Sequence, residues 1–189
     1  MLITLPYPTI NLSGLRLCPP NQDDAEELFF LLTDHESTRY YGNYNFNTMQ
    51  DVKNAIYQMH EDYRRGKSID LVIRNNKNPK IVGFISAYGL DNRHARATFS
   101  FIISPLYRRR HIATATLHAF SIYMFTKRNT NRIQFLVDKR NEQCLCFLSK
   151  WGAKYEGVLR HYEIEEKECI DIVIFSIVKD EYTAESEKP

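Results

Sequence analysis

ATFSFIISPLYRRRHIATATL, residues Ala97 to Leu117, holds the pattern change on which the reading of this chain turns. Ala95 to Ile103 has strand character and stops at Ser104-Pro105, where proline cannot continue a ladder. From Ile112 to Phe125 the spacing is helical, with Ile112, Ala115, Ala119 and Ile122 among the apolar positions. Arg108, Arg109, Arg110 and His111 stand between the two. A strand that passes through a short loop into a helix presents unpaired N–H groups in one direction. The helix dipole adds roughly half a positive charge at the same place. Such a loop suits an anion such as a phosphate or pyrophosphate, and Ala113 and Ala115 would let it approach the backbone. A solvated basic turn has the same composition, and charge alone leaves both readings open.

Working outward, Leu15-Arg16-Leu17-Cys18 reads as a first strand ended by Pro19-Pro20. Asn21 is placed to cap a helix carrying Ala25, Leu28, Phe29 and Leu32 on one face. Thr48 and Asp51 form a capping-box pattern ahead of a helix with Val52, Ala55, Ile56 and Met59 inward, ended by Gly66. Ser68–Arg74 and Lys80–Tyr88 read as strands around a polar turn, an antiparallel pair continued by the third strand. Beyond the basic loop and its helix come a strand at Arg132–Val137 and a helix from Glu142 to Trp151 ended by Gly152. A final hairpin takes Ala153–Ile164 and Cys169–Val178. The order β α α β β β α β α β β contains one βαβ crossover, which requires parallel pairing at that point. The fold class is therefore α/β, with helices on both faces of a mixed, mostly antiparallel sheet of about seven strands.

The chain has 189 residues, 43% hydrophobic and 25% charged, with a formal net charge of +2. That profile fits one soluble domain, with a core at about residues 12–181 and a flexible tail at 182–189. The polar piece Thr183–Pro189 is the only low-complexity segment. A balanced charge argues against nucleic acid as a partner, since the basic cluster is local. No apolar run approaches the roughly 18 residues needed to span a bilayer. MLITLPYPTINL lacks the pattern of a signal peptide, so a cytoplasmic location is expected without membrane partners. Cys18, Cys144, Cys146 and Cys169 form no CxxC and read as buried reduced thiols. His111 and His118 are seven apart, but further ligands for a metal are missing.

The same opening stretch resembles the coenzyme motif R/Q-x-x-G-x-G/A of the GNAT superfamily of N-acetyltransferases. Here it reads Arg108-Arg109-Arg110-His111-Ile112-Ala113, with His111 in place of the first glycine. Asn141-Glu142-Gln143-Cys144 followed by Lys150-Trp151-Gly152-Ala153-Lys154-Tyr155-Glu156-Gly157 resembles N-x-x-S and K-x-G-F-x-x-E-G. Ile170 to Ile177 resembles the last strand of the branch that includes the ribosomal-protein alanine N-acetyltransferases. The likeness runs from about Leu15 to Glu181.

The resemblance implies a three-layer α/β/α fold and transfer of an acetyl group from acetyl-CoA, as co-substrate and without a metal, to a primary amine by direct attack. The acceptor would be a protein N-terminus or a small amine such as an amino sugar, polyamine or amino-bearing antibiotic, and the enzyme a monomer or homodimer. Arg108, Arg109, Arg110, His111, Ile112, Ala113 and Thr114 would surround the pyrophosphate. Phe101, Ile102 and Ile103 would pair with the pantetheine arm, and Asn141 would bond to it while also capping its helix. Backbone N–H groups near Ile102 or Ile103 would polarise the thioester carbonyl. Two side chains common in the superfamily are replaced, a glutamate by Thr98 and a tyrosine by Leu148. The ribosomal-protein branch implies Cys144 as proton donor to the leaving thiolate and Glu163 as base acting through water. A thiol with pKa near ~8.5 would match that of the coenzyme. Tyr40, Tyr41 and Tyr44 would line the acceptor pocket. The replacements also admit a module that binds acyl-CoA without catalysis.

Overall fold

The structure is a computed structural model and describes residues 5–41, 46–165 and 167–186. The described strands are β1 (Ile10–Leu12), β2 (Leu15–Cys18), β3 (Ser68–Asn75), β4 (Ile81–Asp91), β5 (Arg96–Ile103), β6 (Arg132–Asp138), β7 (Lys154–Glu165) and β8 (Glu168–Val178). The described helices are α1 (Ala25–Thr33), α2 (His35–Thr38), α3 (Met49–Arg64), α4 (Ile112–Lys127), α5 (Glu142–Trp151) and α6 (Lys179–Ser186). The sheet has eight strands in the order β1-β2-β3-β4-β5-β6-β8-β7. The chain divides into two compact units. The first comprises Met1–Tyr88 and Ser100–Phe120, the second Gly89–Phe99 and Ser121–Pro189.

In the first unit the expected caps form. Asn21 Oδ1 accepts from the Asp23 N–H at 2.8 Å while Asp24 Oδ2 accepts from the Asn21 N–H at 2.8 Å, so the chain enters α1 through a 3-10 turn. Thr48 and Asp51 bond reciprocally at the start of α3, which anchors its first turn. Gly66 ends that helix at φ +69°, a conformation glycine adopts without a Cβ clash. Leu28, Leu31 and Leu32 of α1 and Val52 and Ile56 of α3 pack on Val72, Phe84 and Ile102 of the sheet. At Gly83 the backbone is crowded: a Cβ there would stand 2.4 Å from the Ile102 carbonyl oxygen.

In the second unit β5 and β6 run parallel, in register from Arg96↔Arg132 to Phe99↔Phe135, as the crossover requires. β6 pairs antiparallel with β8 from Arg132↔Val178 to Asp138↔Ile172. The β7–β8 hairpin continues farther, to Glu165↔Glu168. Phe99 and Trp151 each meet Phe135 edge-on at 5.9 Å, the preferred contact of aromatic quadrupoles.

Three features depart from the sequence reading. β1 precedes the expected first strand and makes the sheet eight-stranded rather than about seven-stranded. It has three residues and turns into β2 over Ser13-Gly14, with Gly14 at φ +78°, too short a segment for alternation to register. α2 is a single turn capped by Asp34. The segment assigned to a tail from residue 182 instead begins inside α6. Tyr182 is buried there, with its ring 5.3 Å from Phe125 and 6.3 Å from Trp151.

Candidate active site

The loop from Ser104 to His111 is tied down at both ends. The Ser104 N–H donates to the Val82 carbonyl at 3.0 Å, and Pro105–Tyr107 form a 3-10 turn. His111 takes the N-cap of α4 by position, because its carbonyl accepts from the Ala115 N–H at 3.0 Å. The 16-residue α4 thus starts directly behind the basic cluster, with its first N–H groups lacking acceptors within the helix.

The three arginines separate into two roles. Arg108 is a strut: its Nε donates to the Ile103 carbonyl at 3.3 Å, its Nη1 to Glu36 Oε1 at 2.7 Å and its Nη2 to the Glu36 carbonyl at 3.1 Å. Arg109, Arg110 and His111 are exposed, and the Arg110 guanidinium lies over the Tyr107 ring at 5.5 Å. Arg109 and His111 have φ of +60° and +58°. A glycine at the His111 position, as in the motif, would adopt this conformation without cost, and the histidine holds it here with an exposed side chain. Ile112 is buried, Ala113 half-buried and Thr114 exposed.

The strand expected to meet the pantetheine arm divides by alternation. The Ser104 N–H and the Ile102 carbonyl face β4, at Val82 and Gly83. With a period of two, Phe101 and Ile103 direct their backbone groups to the opposite edge of β5. On that edge the Ile103 carbonyl is taken by Arg108. Ile102, expected to help polarise a carbonyl, therefore directs its backbone groups to β4, while the N–H groups of Phe101 and Ile103 face the opposite edge.

Of the tyrosines, Tyr41 packs beside the core cluster, and its hydroxyl lies 2.9 Å from Ser100 Oγ on β5. The Arg39 guanidinium lies over the Tyr40 ring at 5.2 Å. Tyr44 lies outside the described residues. Glu36 and Ser100 were not singled out from the sequence. Glu36 shows no spacing signal, whereas the Ser100 position alternates with Phe99 and Phe101 and could have been read.

In the second unit, Asn141 Oδ1 accepts from the Cys144 N–H at 3.1 Å and so caps α5. Its amide nitrogen keeps its donors for other partners. Cys144 shares that first turn, and burial pushes its thiol up to about 12. The acidity match to the coenzyme thiol expected from the sequence is lost: this thiol holds its proton and can offer a hydrogen bond. Glu163 is exposed on β7, opposite Ile170. It lies just past a bulge where the His161 N–H donates to Asp171 Oδ1 at 3.0 Å, and Lys139 Nζ donates to Asp171 Oδ2 at 3.2 Å. Arg140 braces the same hairpin, joining Asp138 and Glu165. Thr98 is buried and accepts from Gln134 Nε2 at 3.0 Å, and Leu148 is fully buried. The glutamate and tyrosine roles common in the superfamily therefore have no counterpart at those two positions. The Glu156 of the E-G pair is structural. It accepts from Arg132 and from Ser176 Oγ at 2.6 Å, and Arg132 chiefly holds its carboxyl down to about 2. The four cysteines are free thiols, and Cys146 and Cys169 are exposed rather than buried.

No helix among the described residues is long and apolar enough to cross a membrane. Among the described residues no group of three or more His, Cys, Asp or Glu side chains is gathered to hold a metal.

Residues 14–154 match the acetyltransferase (GNAT) domain, and the chain belongs to that family. It is an acetyl-CoA-dependent N-acetyltransferase. The uncharacterized N-acetyltransferase YoaA of Bacillus subtilis (strain 168) is 28% identical over 92% of this chain and 98% of its own length. Spermidine N(1)-acetyltransferase of Escherichia coli (strain K12) is 30% identical over 57% of this chain and 58% of its own. The structure of the microcin C7 self-immunity acetyltransferase MccE, in complex with acetyl-CoA and AMP, shares the fold. Its TM-score is 0.82 and its identity 22%, over 93% of this chain and 98% of that one.

Proposed function

We propose that the enzyme transfers the acetyl group to a primary amine by direct attack, and that it does so in the cytoplasm. The observation that carries the coenzyme assignment is the exposed crown of Arg109, Arg110 and His111 in front of α4. It combines side-chain cations with first-turn N–H groups, which is the chemistry a diphosphate needs. Acetyl-CoA supplies the thioester carbonyl that the amine attacks.

The chain's own residues then have separate tasks. Arg109, Arg110 and the N–H groups of Ile112, Ala113 and Thr114 bind the diphosphate. Arg108 does not, since Glu36 already occupies it; it fixes the loop instead. Phe101 and Ile103 offer backbone groups to the pantetheine arm, and Asn141 adds its amide. Cys144 donates a hydrogen bond toward the leaving sulfur, and Glu163 acts on the amine proton through water. An α-amine with pKa of about 7.7–8.0 would be partly neutral and need only a weak base, whereas an aliphatic amine, with pKa near the ~10.4 of a lysine side chain, is charged at neutral pH and needs the base to take its proton. Tyr41 lines the acceptor side. The named spermidine relative supports a small aliphatic amine over a protein N-terminus, and amino sugars and amino-bearing antibiotics are the comparison set.

Calorimetric titration with acetyl-CoA tests the coenzyme site. Removal of both Arg109 and Arg110 side chains should weaken binding by about 10- to 100-fold, as the loss of one or two charge-assisted bonds requires. Unchanged affinity would remove the assignment. A panel of amines tests the acceptor. Tight coenzyme binding with no transfer to any amine would favour a binding module, the reading that the residues at positions 98 and 148 also admit.

A further inference from the structure

Three aspartates are buried among the described residues: Asp24, Asp70 and Asp138. Two are matched by a cation. Arg74 pairs with Asp24, and Arg140 pairs with Asp138 at 2.6 Å. Asp70 makes no ion pair among the described residues. Its carboxylate rests on two hydroxyls, accepting from Ser86 Oγ at 2.6 Å and from Ser68 Oγ at 2.5 Å. Above it, the Tyr7 hydroxyl donates to the Asp70 carbonyl at 2.9 Å, and the Tyr7 ring stacks on Tyr63 at 4.0 Å. A buried carboxylate without a counter-charge is costly, and burial is the chief reason this one's pKa is raised.

Its place in the fold gives the cost a purpose. Val72, Phe84 and Ile102 share the sheet face covered by α1 and α3. Side chains two residues away share that face, so Asp70, Ser86 and Ser100 lie on it too, on the adjacent strands β3, β4 and β5. Ser100 meets the Tyr41 hydroxyl and directly precedes Phe101–Ile103. A polar row thus crosses three strands toward the segment that the proposed function gives to the pantetheine arm. One same-face step out along β3 and β4, half-buried Ser68, which donates to Asp70, stands opposite exposed Tyr88.

We propose that Asp70, held by Ser68 and Ser86, is the anionic subsite for the ammonium group of an aliphatic di- or polyamine acceptor. The missing cation is the substrate's own. Such a subsite discriminates against amino sugars and arylamines, which lack a second flexible charged centre. This rests on the acetyltransferase reading above and adds the residue that selects the acceptor.

The test uses the full chain loaded with CoA, titrated with spermidine by calorimetry. Asp70→Asn keeps the shape and removes the charge. It should raise the spermidine Kd at least tenfold and leave the acetyl-CoA Kd within twofold. Unchanged spermidine affinity with intact coenzyme binding would overturn the subsite while leaving the coenzyme assignment standing. If the wild-type chain binds no acetyl-CoA, both readings fall together. Should Asp70→Asn fail to fold, Ser86→Ala serves instead. It strips one donor from the carboxylate and should shift the spermidine Kd at least threefold without moving that of acetyl-CoA; no shift would overturn the proposal.

Discussion

On the proposed assignment of Cys144 as proton donor, its proton inventory governs how the reaction ends. Its thiol lies well above the coenzyme thiol in pKa, because burial disfavours the thiolate. It can stabilise a leaving sulfur by hydrogen bonding, yet full proton transfer from it would run uphill. Cys144→Ala should therefore lower kcat about tenfold, and Cys144→Ser should restore most of the loss. The rate profile between pH 6 and 10 should keep its shape in both variants, since the wild-type thiol does not titrate there. Equal kcat in wild type and Cys144→Ala at saturating substrates would remove its role. Glu163→Gln gives the companion measurement: if Glu163 takes the amine proton, its loss lowers kcat most at low pH, where the amine is charged.

At the scale of elements, the close approach of β4 to β5 fixes how those two strands pack. Gly83→Ala would drive a methyl group into the Ile102 carbonyl and part the strands. It should cost about 2–3 kcal/mol, measured by urea unfolding, and weaken acetyl-CoA binding as well. Most elements were legible because their signals are local. The Thr48–Asp51 box, the Gly152 stop of α5 and the proline after β5 each act within a turn or two of chain. β1 was not legible, because three residues cannot establish a period. Within the candidate site, the exposed basic loop ahead of α4 was readable from its charge and its helix. The difference between Arg108 and its neighbours was not, because it depends on Glu36, 72 positions away in sequence. Asp70 was invisible for a similar reason: an aspartate in a strand looks alike with or without a buried counter-charge.

For the whole molecule, the network of Arg132, Glu156 and Ser176 ties β6, β7 and β8 into one acid-sensitive unit. A carboxyl whose folded pKa is depressed stabilises the fold above its unfolded value and loses that contribution as pH falls. Wild type should thus exceed Glu156→Gln in stability above pH 4.5, by under about 1 kcal/mol since the pair is partly exposed, and the gap should close toward pH 2. Parallel denaturant curves at pH 6 and pH 3 would check the sign. The four free thiols differ in accessibility in a way that gives experimenters a ready handle. Cys146 and Cys169 stand in solvent, while Cys18 and Cys144 are half-buried. A maleimide dye at neutral pH should label two sites first and the other two more slowly, with unfolding speeding the second pair. Fluorophores on α5 and at the start of β8 would then mark the second unit without any engineered mutation.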